Sequence, residues 1–298
     1  MATGAALRRI RFLQPEGWAA LDRVNYWVFL PALIFQSLAT NDRGLDGAGP
    51  IALTLVVSLL TVGGLVRLLK PVVARDGPTY TSVVQGSIRF NSFVALLVVP
   101  TLYPGTAGLT ALLVALTVPL VNVMSVTALA QHASSVPVNA RILVRSIVSN
   151  PLIVASLGGI LVARLGLPLG PVETSLELLG RAALAAGLLS VGATLRFGSL
   201  LNDARSILGA TVLKFTVLPA LVLVTATLFG VPEAALPALL LFHAMPTASS
   251  SFLLARAMNG NERTMAAVLA SQTVLALLWL PVVYAFTPSL ISLWSRFT

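Results

Sequence analysis

Two short polar runs interrupt otherwise apolar stretches of this chain, and they hold most of the side chains able to do chemistry. The first, Gly86-Ser87-Ile88-Arg89-Phe90-Asn91-Ser92, sets a guanidinium, a carboxamide and two hydroxyls inside a segment long enough to cross a bilayer. The second, His243-Ala244-Met245-Pro246-Thr247-Ala248-Ser249-Ser250-Ser251, combines an imidazole, a proline and four hydroxyls inside another. A charge within an apolar span costs about 2.5–3.5 kcal/mol to insert and marks a functional position by default. A helix unwound at Asn91 exposes backbone amides and carbonyls near the midplane, where only protein or a water-filled cavity tolerates them. Pro246 removes a donor and disrupts the bond to the residue four back, and the hydroxyls around it re-satisfy the freed groups. The candidate substrate contacts are therefore Arg89, Asn91 and Ser92, facing His243, Pro246, Thr247, Ser249 and Ser250. Plainer readings stand beside these. Arg89, about ten residues into its span, also reads as a snorkelling side chain. Pro246 alone reads as a kink, and His243 as a hydrogen-bonded structural histidine no less than a proton carrier.

Asn122 and Gln272 sit among apolar residues of two further spans. They read either as part of the same cavity, with Asn122 a candidate contact, or as interhelical hydrogen-bonding groups. Lys214 reads as a substrate partner or, preferably, as a lysine snorkelling from its span. Gly158-Gly159 and Gly187 to Gly192 read as sites of close helix packing. No Asp or Glu lies in the middle of any span, so the usual carboxylate relay or sodium ligand of ion-driven pumps is missing. Unpaired positive charge beside helix N-termini suits an anion, above all a carboxylate. With no cysteine, no metal-ligand cluster and no nucleotide fingerprint, neither a cofactor nor a metal is expected. An intramembrane serine hydrolase is a remote alternative. Ser250 lies two turns beyond His243 if the helix is continuous, too far for a nucleophile and its base. A non-transporting scaffold or receptor leaves the paired interruptions unexplained.

The elements that must position these residues follow from composition. Of 298 residues 57% are apolar and only 10% charged, with a mean hydropathy of +0.92, against about a quarter charged in soluble domains. The chain reads as an all-α polytopic membrane protein of about nine transmembrane helices, near 21–40, 50–70, 79–102, 108–130, 149–166, 174–195, 206–229, 234–256 and 265–287. Turns such as Asn41-Asp42-Arg43-Gly44 and Asn259-Gly260-Asn261 join them. A polar break at 131–148, containing Pro137, separates a first repeat (1–130, four spans) from a second, inverted one (149–298, five spans). If the N-terminus is cytoplasmic, thirteen basic residues fall inside, Arg8, Arg9, Arg11, Arg141, Arg145 and Arg196 among them. Four fall outside: Arg43, Arg164, Arg181 and Arg296. That bias orients the chain with its C-terminus outside. It also explains a net charge of +9 through the lipid bilayer, with no nucleic-acid partner required.

Several ordered motifs resemble the auxin efflux carrier family. Tyr26-Trp27-Val28-Phe29-Leu30-Pro31-Ala32-Leu33-Ile34-Phe35 is similar to the family's second helix, Arg89-Phe90-Asn91-Ser92 to its first broken helix, and Val118 to Val123 to the helix that follows. Ser149-Asn150-Pro151-Leu152, Val191-Gly192-Ala193-Thr194-Leu195 and Met245-Pro246-Thr247-Ala248 resemble motifs of its second half. The resemblance implies ten helices in two inverted repeats of five, so that this chain is an incomplete 5+5 inverted repeat lacking the first helix. It also implies two broken helices crossing near Asn91 and Pro246, a scaffold part through which two chains pair as a homodimer, and elevator-like alternating access. The bacterial members, linked to malonate and malate, make a mono- or dicarboxylate the expected substrate and a bacterial inner membrane the expected location. A passive facilitator and a sodium-coupled carrier of the bile-acid type share the implied fold.

Overall fold

Proline and glycine divide this apolar chain into its helices. The computed structural model describes residues 2–40, 47–133, 149–194 and 203–294. The turn at Asn41 to Gly44, most of the polar break with Pro137, Arg141 and Arg145, and Leu195, Arg196 and Arg296 lie outside the described residues. In chain order come α1 (Ala2–Arg9), α2 (Pro15–Val24), a π turn (Asn25–Phe29), α3 (Leu30–Ala39), α4 (Ala48–Leu68), α5 (Lys70–Val73), α6 (Gly77–Ile88), α7 (Ser92–Leu102) and α8 (Ala107–His132). There follow α9 (Pro151–Leu165), α10 (Pro171–Thr194), α11 (Ala204–Val212), a second π turn (Leu213–Val217), α12 (Leu218–Phe229), a 3-10 turn (Glu233–Ala235), α13 (Leu236–His243), α14 (Ser250–Ala257) and α15 (Glu262–Trp294). No strand occurs among the described residues.

The ends of these helices follow from their residues. Prolines occupy the first turn of α2, α6, α9 and α13, where a missing N–H costs nothing. Asp76 caps α6 by accepting from the Thr79 N–H at 2.7 Å, and Asn150 caps α9 by accepting from the Leu152 N–H at 2.9 Å. Gly166 and Gly230 end α9 and α12 in the left-handed region that glycine adopts without strain.

Among the described residues six stretches are long and apolar enough to cross a bilayer: Ala48–Leu68, Gly77–Leu102, Ala107–His132, Pro171–Ala193, Ala204–Phe229 and Glu262–Ser292. The other three expected spans fall on shorter helical pieces. Residues 21–40 belong to the π-interrupted run of α2 and α3, 149–166 to the 15-residue α9, and 234–256 to the two short helices α13 and α14. Outward-facing leucines such as Leu157, Leu228, Leu277 and Leu278 are 63–73% exposed, whereas Thr54, Ser58, Gln85, Thr247 and Gln272 are fully buried. An oily exterior around buried polar groups is what a lipid solvent requires.

The chain forms two compact units. The first draws on residues 1–46, 92–116 and 144–195. In it α9 and α10 pack on α3, and α1 on α10. A Cβ on Gly159 would lie 2.6 Å from the Phe35 carbonyl oxygen, and one on Gly187 2.3 Å from the Phe93 ring, so both glycines permit close helix approach. Asn25 donates to the Ala183 carbonyl at 3.2 Å, and Ser190 donates to Asp22. The second unit draws on residues 47–91, 117–143 and 196–298. There α12 packs on α4 through a 2.8 Å hydroxyl pair, Ser58 and Thr225, and Gly86 lets α6 approach Ala210 of α11 and Val268 of α15.

Both π turns have the same cause. Each precedes Leu-Pro-Ala-Leu, at Leu30 to Leu33 and Leu218 to Leu221. A proline inside a helix clashes with the carbonyl four residues back. Widening the preceding turn relieves the clash, and the Leu30 and Leu218 N–H groups reach back five residues, to Asn25 and Leu213. Pro31 and Pro219, five residues after Tyr26 and Lys214, carry no N–H with which to continue that pattern.

The glycine contacts give a paired prediction. Gly159→Ala should lower thermal stability by about 1–3 kcal/mol, because the backbone carbonyl it meets cannot move aside. Gly64→Ala in α4 has open space around its Cβ and should be neutral or stabilising by up to about 1 kcal/mol through helix propensity. Melting curves of the two purified variants in one detergent check the opposite signs.

Candidate functional site

The second unit contains two places where a helix stops inside the apolar interior. After Ile88 the chain turns extended at Arg89 (φ −76°, ψ 155°), which caps the C-terminus of α6, and stays non-helical through Asn91. After His243 the helix stops again, and α14 begins only at Ser250. These breaks meet. The Asn91 N–H donates to the Pro246 carbonyl at 2.8 Å, and Phe90 packs on Phe242 with ring centroids 4.5 Å apart.

One side chain ties both breaks together. The Gln272 carboxamide, from the middle of α15, accepts from the Thr247 N–H at 3.0 Å and donates to the Gly86 carbonyl at 3.0 Å. Thr247 also donates toward the Gln85 carbonyl at 3.4 Å and pairs with the Ser251 hydroxyl at 3.3 Å. Gln272 is thus an interhelical hydrogen-bonding residue, with no exposed surface. At one end of the same unit Asn261 donates to the Thr79 hydroxyl at 2.9 Å, and its carbonyl accepts from Ser82 at 3.0 Å, which fixes the start of α15 against α6.

The candidate residues are distributed around this crossing as follows. Arg89 turns inward, with 7% of its surface exposed, and its Nη2 donates to the Ser250 hydroxyl at 2.9 Å. Its charge sits at the C-terminus of α6, where the helix dipole favours a cation. Ser250 is exposed and Ser249 half-buried, so the guanidinium lies just beneath a polar, accessible edge. Asn91 and Thr247 are buried in the crossing. His243 is buried too, and its Nδ1 donates to the Leu239 carbonyl at 2.8 Å, leaving Nε2 as an acceptor with no hydrogen-bond partner among the described residues. His243 and Ser250 are therefore not joined as base and nucleophile. Ser92 opens α7 and belongs to the first unit. Asn122 is half-buried on α8, and among the described residues no hydrogen bond ties it to the crossing.

Two residues depart from the sequence reading. Lys214 does not snorkel. It is 1% exposed on the π turn, because Pro219 fixes that turn inside the unit and Phe215 beside it stacks on Trp279 at 6.2 Å. Gln85, passed over in the sequence, is wholly buried one turn before Arg89, and among the described residues both its amide atoms lack hydrogen-bond partners. Its signal was position: a carboxamide on the apolar approach to a helix break. Among the described residues no cluster of His, Asp or Glu is arranged to hold a metal ion.

Gln272 generates a stability prediction. Gln272→Leu leaves the Thr247 N–H and the Gly86 carbonyl unpaired, and should cost about 1–3 kcal/mol for each buried group. Gln272→Glu loses the donor and sets a buried carboxylate against the Gly86 carbonyl, and should melt no higher than the leucine variant in a detergent series.

A chain that turns an oily surface to the bilayer and folds polar helix breaks into its interior has the build of a membrane transporter. The comparison with known families agrees. A family model described as membrane transport protein matches residues 127–284, just over half of the chain. The chain belongs to that family, which includes the auxin efflux carriers and whose members are transporters and not enzymes. The matched stretch contains the second break, Lys214 and Gln272, and the first break with Arg89 lies ahead of it. No curated protein matches the chain significantly.

Proposed function

We propose that this protein is a secondary carrier of a small organic anion, a mono- or dicarboxylate, and that the crossing of the two helix breaks is its substrate site. The observation that carries this reading is Arg89: a permanently charged guanidinium, nearly buried, held by Ser250 at the point where two helices end. In that setting a carboxylate would gain a charge-assisted, two-pronged hydrogen bond that water cannot match. The N-terminus of α14, opening at Ser250, adds a dipole of the right sign. Asn91, Ser92, His243, Pro246, Thr247, Ser249 and Asn122 complete the proposed contact set. Thr247 acts mainly by holding the break in shape.

The wider reading follows from the same picture. Nine membrane-crossing passes divide into a four-span repeat before the polar break and a five-span inverted repeat after it. The N-terminus lies in the cytoplasm and the C-terminus outside, in a bacterial inner membrane. Access to the site alternates by an elevator-like movement, and two chains pair as a homodimer. Counterflow exchange of labelled acid would set this carrier apart from a passive facilitator, and a sodium requirement would mark the bile-acid-type alternative.

A thermal-shift screen of purified protein against malonate, malate and acetate, with neutral and cationic metabolites as controls, tests the substrate class. Binding at one hundred times Kd raises stability by about 2.7 kcal/mol. The expected result is a concentration-dependent rise with one acid that disappears in Arg89→Ala, with the variant still folded. A rise with a neutral or cationic compound alone would dismiss the carboxylate assignment.

A further inference from the structure

Gln85 lies in the last turn of α6 with none of its surface exposed, and among the described residues neither its Oε1 nor its Nε2 has a hydrogen-bond partner. Roughly 90% or more of buried polar groups are paired, so a side chain with both atoms unmet needs a reason. The rest of the residue is firmly held. Its carbonyl accepts from the Arg89 N–H at 2.9 Å and from the Thr247 hydroxyl at 3.4 Å, one donor from each helix break. The next carbonyl along, that of Gly86, accepts from Gln272 at 3.0 Å. The backbone is thus fixed against both breaks, while the amide at the end of the side chain binds nothing.

The position of that amide says what it can bind. The Arg89 N–H still closes a helical bond to Gln85, so the two side chains leave one face of α6, about 5–6 Å apart at Cβ. Both are long enough to converge on adjacent groups of one small molecule. Hydroxyls of the second break line the same place: Ser250 accepts from Arg89 at 2.9 Å, and Thr247 pairs with Ser251 at 3.3 Å. Arg89 offers donors only, whereas a carboxamide offers two donors and an acceptor. A lone carboxylate on Arg89 would leave Oε1 of Gln85 unmet, and a second carboxylate would set its charge against that oxygen. A hydroxyl both donates and accepts, and so answers Oε1 and Nε2 together.

We propose that Gln85 is a specificity residue of the carrier site: it binds a hydroxyl carried beside the carboxylate that Arg89 holds, and the substrate is a hydroxycarboxylate. Oε1 accepts from the hydroxyl and Nε2 donates to it. An acid without that group leaves both amide atoms unpaired and gains only what Arg89 offers. Sites built around a substrate hydroxyl reject the analogue that lacks it for this reason. This inference rests on the anion-carrier reading and narrows its substrate.

Thermal-shift titrations of the full chain with acids that differ by one hydroxyl, malate against succinate and lactate against propionate, test it. The concentration dependence of the shift gives an apparent Kd for each acid. For native protein the hydroxy acid of at least one pair should bind about ten-fold or more tighter than its partner, the scale of one hydrogen bond to an otherwise unmet group. Gln85→Met should bring that ratio to within about two-fold. Without ligand the same variant should melt at or above native protein, because an apolar side chain of similar length removes two unpaired buried atoms. A purely structural glutamine would show the reverse, so a variant that melts well below native protein or does not fold would overturn the role. Native protein that binds both members of each pair equally, or a variant that keeps the ten-fold preference, would overturn it too and leave the anion reading standing. Native protein stabilised by none of the four acids would overturn both.

Discussion

The structure depends on one constraint: a helix that stops inside a bilayer must find partners for the backbone groups it frees. In hydrocarbon each unpaired group costs several kcal/mol, and no water is at hand to meet it. The second unit meets this by placing two breaks against each other. The Asn91 N–H finds the Pro246 carbonyl, and Gln272 offers an acceptor to one break and a donor to the other. Neither break is supportable alone, which is why the glycine at position 86 matters. Its missing side chain lets α6 approach α11 and α15 closely enough for the Gln272 amide to reach its carbonyl.

The same constraint explains the two π turns. Proline in mid-helix forces the preceding turn to widen, and the next N–H reaches back five residues instead of four. Such sites persist only where the interior can absorb them. In the first unit the turn opens at Asn25, whose amide bonds across to Ala183, and includes Tyr26, whose hydroxyl reaches Asn150 at 3.4 Å. In the second it carries Lys214. One local sequence, Leu-Pro-Ala-Leu, thus creates an interhelical anchor in one unit and a buried amine in the other.

Much of this was legible in the sequence, for reasons that can be named. Helices and their bilayer setting follow from apolar runs punctuated by proline, and the breaks follow from polar residues where lipid-facing chain should be oily. Arg89 and the run from His243 to Ser251 stood out because nothing in a simple span accounts for them. What the sequence does not carry is partnership. Gln272 read as either cavity or packing until its two hydrogen bonds fixed it as packing, and Gln85 had only its position before a helix break to mark it, with no spacing to name a partner. Lys214 was misplaced because snorkelling is judged from distance along the helix. A π turn locked by proline decides instead which way the side chain points.

The arrangement of charge finally bears on why two basic residues differ in kind. Arg89 remains protonated under any physiological condition, so its site must compensate it permanently. It does so with the α6 C-terminus and the Ser250 hydroxyl. Lysine can give up its proton, and Lys214 is buried with no ion pair among the described residues. A lysine at position 89 would lose the planar fork that suits a carboxylate. On the proposed anion-carrier reading Arg89 fixes the sign of the substrate, and the absence of acidic residues from the middle of the expected spans leaves the substrate itself as the counter-charge.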